Sequence, residues 1–249
     1  MMDTEKKIKD AVVERYTDAA LQDSGCCSSS CGCGGDNAPG MNEQYSSTDQ
    51  RILEEADLGL GCGNPTAFAE LKNGMTVLDL GSGAGIDVFL AAKEVGPTGK
   101  AIGLDMTPAM IDRATKNKEK LGIANVEFVL GSIDSMPLQS DSVDYVLSNC
   151  VLNLVPDKRK AFLEMFRVLR ANGRFTVSDI VTVGEVNEDA RNNLSLWTNC
   201  VSGAVEKQQY VEELRKAGFS DVRIMKERTV NTFSEYGFGL VSITVTGTK

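Results

Sequence analysis

Short continuous apolar runs in this chain alternate with stretches in which apolar residues recur every three or four positions. That is the pattern of buried parallel strands joined by amphipathic helices. The first run, Val77-Leu78-Asp79-Leu80, stops at Gly81, Gly83 and Gly85, and a helical pattern of Ile86, Phe89, Leu90 and Val95 follows at once. Gly96-Pro97 ends that helix. Lys100–Leu104 predicts the second strand, closed by Asp105, and Thr107-Pro108 starts a helix with Met110, Ile111 and Ala114 inward. Val126–Leu130 and Val143–Ser148 predict strands three and four, the latter followed by Asn149-Cys150. Pro156-Asp157 opens a helix that buries Ala161, Phe162, Met165, Phe166 and Leu169, stops at Asn172-Gly173 and leads into a fifth strand, Arg174–Ile180. Helices are expected over Asp189–Trp197 and Glu206–Ala217, with Cys200 in the loop between them. The β-rich runs Val222–Val230 and Leu240–Thr248 predict an antiparallel pair on the sheet edge. The expected fold is therefore α/β, a doubly wound, mostly parallel sheet with a C-terminal antiparallel strand pair.

Ahead of the first strand the pattern changes. Ile8, Val12, Tyr16 and Ala19 mark an amphipathic helix over residues 3–21. Residues 23–47 have no periodicity. They carry Cys26, Cys27, Cys31 and Cys33 among small polar residues, and are expected to form a mobile loop unless something binds the thiols. Ser47-x-x-Gln50 resembles a capping box for a helix to about Ala56. Gly59, Gly61 and Gly63 then mark a tight loop around Cys62, and Asn64-Pro65 predicts a helix to about Leu71. Three segments result: 1–47, the helix and cysteine-rich loop; 48–180, a Rossmann-like domain; and 181–249, a segment completing the sheet.

The 249 residues, 42% of them hydrophobic, suffice for one α/β domain with additions. A net charge of −9 argues against an extended nucleic-acid interface. No apolar run approaches the length of a membrane span. The charged start Met1-Met2-Asp3-Thr4-Glu5-Lys6-Lys7 lacks an apolar signal core, so a cytoplasmic location is expected. There, seven cysteines read as thiols, metal ligands or catalytic groups rather than structural disulfides. With no histidine in the chain, most hydrolase triads and most catalytic zinc sites are excluded.

A strand, a glycine turn and a helix make a cradle in which a ligand lies against bare peptide groups. The dinucleotide fingerprint G-x-G-x-x-G fails, because its last glycine falls on Ile86. Asp105, 20 residues after Gly85, is placed to accept from both hydroxyls of a ribose. Gly131-Ser132-Ile133-Asp134 closes strand three, where an adenine would be held. A nicotinamide dinucleotide site is the plainer alternative. V-L-D-L-G-S-G-A-G, G-L-D-M-T-P and G-S-I-D, in this order at strand ends, resemble the ordered motifs of class I S-adenosylmethionine-dependent methyltransferases, from Thr76 to the C-terminus. The resemblance implies S-adenosylmethionine as cofactor. Its contacts would come from Asp79, Gly81, Ser82, Gly83, Gly85, Asp105, Met106, Ser132, Ile133 and Asn149, with Asp79 facing the ammonium group.

In that fold the end of strand four faces the transferred methyl, and here it reads S-N-C-V-L-N-L. Cys62, Cys150 and Cys200 all fall in loops or strand ends expected to rim one cavity, although any one cysteine alone reads as a small buried residue. The segments G-L-G-C-G-N-P, S-N-C-V-L-N-L-V-P-D-K and L-W-T-N-C-V-S-G-A resemble the cysteine segments of arsenite S-adenosylmethionine methyltransferases. That resemblance implies methyl transfer to thiol-bound trivalent arsenic, in arsenic detoxification. Cys150 and Cys200 would be the core ligands and Cys62 the third, the latter also forming a transient disulfide. Glutathione or thioredoxin would be consumed as co-substrate. An N-terminal cysteine of the family maps to Cys26 or Cys27. The extra thiols of this chain read as a mobile arsenite-collecting lid, a redundant tail or a zinc site. Two competing functions remain at this level: a small-molecule carbon- or oxygen-methyltransferase of the quinone type, and an arsenic- or zinc-binding sensor without turnover.

Overall fold

The structure is a computed structural model that describes residues 2–21, 45, 50–184, 186–233 and 238–249. Cys26, Cys27, Cys31, Cys33 and the Ser47 cap lie outside the described residues. Helix α1 spans Met2–Leu21 and α2 spans Gln50–Ala56. A core of alternating units follows: β1 (Thr76–Leu80), α3 (Ile86–Val95), β2 (Lys100–Asp105), α4 (Pro108–Leu121), β3 (Val126–Leu130), β4 (Val143–Asn149), α5 (Lys158–Val168) and β5 (Leu169–Val183). The chain closes with α6 (Glu188–Arg191), α7 (Leu194–Thr198), α8 (Lys207–Lys216), β6 (Ser220–Phe233) and β7 (Phe238–Thr248).

The seven strands lie in the order β3-β2-β1-β4-β5-β7-β6. β1 pairs in parallel with β2 and β4, while β7 runs antiparallel to both β5 and β6. Side chains alternate between the two faces of a strand, so the apolar runs feed two cores. Leu78, Leu80, Val146 and Phe175 pack against Phe162, Met165, Tyr210 and Leu214. On the other face Val77, Tyr145 and Leu147 meet Val88, Phe89 and Val95. Each such fully buried large side chain contributes about 1.5–3 kcal/mol relative to exposure. A third cluster caps the C-terminal ends of the strands. There Ile8 and Val12 of α1 pack with Cys62, Cys150, Leu154 and Cys200. The strand order reverses between β1 and β4, the place where ligands bind in open α/β sheets.

Three predicted helices are shorter than the sequence suggests. The one expected to stop at Asn172-Gly173 already ends at Val168, and β5 begins at Leu169. The helix expected from Pro65 to Leu71 is a single 3-10 turn, Thr66–Phe68. Asn64 does cap it, its Oδ1 accepting from the Ala67 N–H at 3.0 Å, but Ala69 is already extended (φ −81°, ψ 130°). The helix expected over Asp189–Trp197 is broken into α6 and α7, because Asn187 and Asn193 each cap a separate turn.

Candidate active site

Gly81 and Gly85 make the turn after β1. Both have positive φ, 65° and 99°, and a Cβ on Gly81 would collide with the side chain of Val151. A Cβ on Gly85 would stand 2.7 Å from the Phe89 ring. The N–H groups of Gly81 and Ser82 donate to the Leu104 carbonyl at 2.7 and 3.0 Å, so the turn is tied to the end of β2. Asp105 completes the tie. Its carboxylate accepts from the Gly83 N–H at 3.0 Å and the Thr107 N–H at 2.8 Å.

These groups wall a cleft of about 1060 Å³, open mouth included, that reaches Cys150. Asp79, Gly81, Ser82, Gly83, Asp105, Met106, Ser132, Ile133 and Asn149 all line it. Gly85 does not; it is the buried N-cap of α3 and shapes the turn from behind. Helix α1 supplies a wall the glycine motif does not announce. Its Lys9 ammonium is 2.6 Å from Asp134 and 3.4 Å from the Ser132 hydroxyl.

Four carboxylates, Asp57, Asp79, Asp87 and Asp105, line this cleft. Burial, then the nearby charges of Asp87 and Asp105, hold Asp79 well above the usual carboxylate range. Asp87 and Asp105 are raised chiefly by burial as well. Such a cluster favours a cation. Ser82 Oγ is buried with no hydrogen-bond partner among the described residues, a donor waiting for an acceptor. S-adenosylmethionine carries two positive centres and many acceptors, and these residues fit it.

The cysteine end of the cleft is built around Asn149. Its Oδ1 accepts from the N–H groups of Cys62 (3.0 Å) and Gly63 (3.2 Å), and its Nδ2 donates to the Gly63 carbonyl (2.8 Å) and Asp87 (3.2 Å). The Tyr45 hydroxyl donates to the same Asp87 carboxylate at 3.1 Å, and Thr66 at 2.8 Å. Asn149 was expected to contact cofactor. It lines the cleft, and its amide also holds the Cys62 loop in place. We expect Asn149→Ala to lower stability by about 1–3 kcal/mol, the cost of orphaning buried polar partners. It should also slow oxidation of the Cys62–Cys150 pair. Denaturant melts and timed thiol alkylation read the two effects.

Cys62 and Cys150 form a disulfide with a Cα–Cα distance of 5.4 Å. The three-thiolate set expected from the sequence is therefore not assembled in this state: two of its sulfurs bond to each other. Cys200 stays a thiol, and its Sγ donates to the Cys150 carbonyl at 2.9 Å. All three residues are nearly inaccessible, at 6%, 4% and 4% exposure. Cys150 (φ 61°) and Cys200 (φ 62°) are both left-handed. The other non-glycine residues of this kind among those described are Asp141, Asn172 and Asp221, types that tolerate the conformation. A cysteine held there costs on the order of 1–3 kcal/mol, and such strain collects at functional sites.

Beneath Cys200 lies a polar cluster that the sequence reading missed. Asp179, fully buried on β5, accepts from Asn153 Nδ2 (2.9 Å), the Ile180 N–H (2.9 Å) and the Tyr210 hydroxyl (3.2 Å). Burial pushes its pKa up to about 7, against the pull of those hydrogen bonds and the Lys158 charge. Burial pushes half-buried Lys158 down to about 8, opposed by Asp179 and Cys200. A carboxylate inside the apolar run T-V-S-D-I-V was the available signal. Because the folded pKa of Asp179 lies above that of an unfolded aspartate, about 3.9, its stabilising contribution is full below about pH 4 and is lost as pH rises through about 7. One such group adds at most ~1.4 kcal/mol of slope per pH unit. Asp179→Asn should flatten the stability profile between pH 4 and about 7, as measured by denaturant melts across that range.

Residues 71–218 match the methyltransferase domain family. With the sheet order, the glycine turn and the acidic cleft, the fold and site define a class I S-adenosylmethionine-dependent methyltransferase. An arsenite methyltransferase of Halobacterium salinarum is 41% identical over 98% of this chain and 67% of its own length. The human arsenite methyltransferase is 36% identical over 71% of this chain, which spans only 49% of it. A solved arsenic(III) S-adenosylmethionine methyltransferase from Chlamydomonas reinhardtii superimposes with a TM-score of 0.72 at 31% identity, over 85% of this chain and 75% of that one. The chain belongs to the arsenite methyltransferase family. Among the described residues no helix is long and apolar enough to cross a membrane.

Proposed function

We propose that this chain methylates trivalent arsenic held by the thiolates of Cys150 and Cys200, with Cys62 as the third sulfur. The observation that carries the reading is the convergence of these cysteines at one end of the cofactor cleft. Cys150 lines the cleft, Cys62 is bonded to it, and the Cys200 sulfur is 2.9 Å from its carbonyl. Thiolates suit a soft centre such as arsenic(III). Three sulfurs leave the arsenic lone pair exposed as the nucleophile, and no proton has to be removed from it. That matches a chain without histidine.

S-adenosylmethionine, when bound, supplies a methyl on a positively charged sulfur. The residues of this chain bind and orient. Asp79 and Asp105 offer negative charge and hydrogen-bond acceptors, Ser82 a buried hydroxyl, and α1 covers the cleft against water through Val12 and Tyr16. Methyl transfer to the lone pair takes arsenic formally from the trivalent to the pentavalent state. Two electrons from a pair of thiols return it and leave a disulfide, the state in which Cys62 and Cys150 stand here. A thiol reductant, glutathione or thioredoxin, then reopens the pair, which places the reaction in the cytoplasm. In this reading Cys26 and Cys27 collect arsenite, and the outcome is its detoxification.

The test is incubation with methyl-labelled S-adenosylmethionine, arsenite and either glutathione or thioredoxin. Labelled mono- and dimethyl arsenicals are expected. Absence of labelled arsenicals at every reductant level overturns the reading.

A further inference from the structure

A second cavity, of about 520 Å³, lies between the loop after Cys62 and the edge strands. Gly63 and Phe68 form one side, and Lys226, Arg228, Ser242 and Thr244 form the other. Lys226 pairs in register with Thr244, and Arg228 with Ser242, so two cations and two hydroxyl residues make one patch across β6 and β7. Neither cation has an ion pair or hydrogen bond among the described residues, whereas Glu227 between them pairs with Lys207 at 3.1 Å. Two unpartnered cations side by side stand out in a chain of net charge −9. They make a site for an anion.

The floor of this cavity is the backbone of the reactive loop. Ser242 Oγ donates to the Cys62 carbonyl at 2.9 Å, and Gly63, the next residue, lines the space. A side chain at Gly63 would meet Ser178 Cβ at 2.6 Å, so the backbone stays bare. The cleft lined by Cys150 contains neither Lys226 nor Arg228, so the disulfide joins a residue bordering one cavity to a residue lining the other.

We propose that this second cavity docks a small carboxylate-bearing thiol, of the tripeptide class that includes glutathione, for exchange with the Cys62–Cys150 disulfide. The purpose of the site rests on the function proposed above; its measurement does not. The docked thiol loses its proton to solvent. The Cys62 sulfur is buried and does not line the cavity, so the loop carrying it shifts to open it, and the thiolate then attacks that sulfur. The sulfur–sulfur bond breaks, Cys150 leaves as a thiolate into the cofactor cleft, and a mixed disulfide remains on Cys62. A second donor thiolate attacks the donor sulfur of that mixed disulfide and releases Cys62. Two donor thiols become one donor disulfide, and their two electrons end on the protein as two thiolates. Lys226 and Arg228 hold the donor carboxylates and favour the approach of a negatively charged nucleophile.

The experiment measures opening of the disulfide in the full chain, by quenching with an alkylating reagent and counting modified cysteines by mass. Neither arsenic nor cofactor is present. Glutathione is compared with neutral 2-mercaptoethanol, in wild type and in a Lys226→Gln/Arg228→Gln double variant whose melting temperature is checked against wild type. Reduction of the wild type by glutathione should saturate, and should slow by about 5-fold or more in the variant at low salt, the scale of two exposed ion pairs. The difference should shrink as salt is raised. Reduction by 2-mercaptoethanol should be the same in both. Equal slowing with both thiols, or no slowing with glutathione, overturns the proposal. Failure of methyl transfer with intact discrimination between thiols would strike the catalytic reading alone.

Discussion

Cys200→Ser is expected to lose arsenite methylation by more than about 100-fold, the scale on which even the supporting partners of a metal site matter. The exchange swaps a soft ligand for a hard one and changes little else. Serine keeps the donor to the Cys150 carbonyl that the thiol makes at 2.9 Å. Cys200 does not line the cofactor cleft, so affinity for S-adenosylmethionine should stay within about twofold, a difference below ~0.5 kcal/mol. Calorimetric titration with arsenite and with cofactor separates the two effects. Cys150→Ser should match it in turnover and add a second mark. With its partner gone, Cys62 becomes a thiol that alkylates without prior reduction. Retention of half the wild-type turnover by either variant would remove that sulfur from the acceptor site.

The second large effect is expected at the other end of the cleft. Asp105→Ala should raise the dissociation constant for S-adenosylmethionine by about 10- to 100-fold, on the ~1.5–3 kcal/mol scale of a hydrogen bond to a charged group. Two losses combine. One is the carboxylate expected, from its place at the end of β2, to accept from a ribose. The other is the brace on the glycine turn, since Asp105 also holds the Gly83 N–H at 3.0 Å. Asp105→Asn keeps an acceptor for that N–H and should fall between wild type and alanine. Unchanged cofactor affinity in Asp105→Ala would move the ribose site elsewhere.

The glycine turn was legible because its signal is local: strand and turn lie within ten residues, Thr76–Gly85, and the helix follows at once from Ile86. The terminal antiparallel pair was legible for the same reason, as two β-rich runs in succession. Side chains that act across the fold were not. Asp87 reads in sequence as an acidic residue in the first turn of a helix, a favourable place near the helix dipole. Nothing local says that Tyr45, Thr66 and Asn149 converge on it. Asn149 reads as a cleft residue at the end of β4, and nothing local says that its amide also holds a loop 86 residues earlier in the chain. Pro65 signalled a helix, but the loop must remain irregular for Cys62 and Gly63 to reach Asn149. Lys226 and Arg228 look like the wet face of an edge strand, and only the register with Ser242 and Thr244 gathers them into a site.

The disulfide encloses more than the acceptor. Its two cysteines stand 88 residues apart, and β1, β2, β3 and all of β4 lie between them. A cross-link over that length restrains the unfolded chain by roughly 4–5 kcal/mol on the loop-entropy account. The oxidised protein is therefore the sturdier one, and the reduced form, the one proposed to accept arsenic, is the more easily unfolded. Heat would inactivate the pool that is ready to work before the pool that has just worked, and binding of arsenic across the same cysteines would restore the tie.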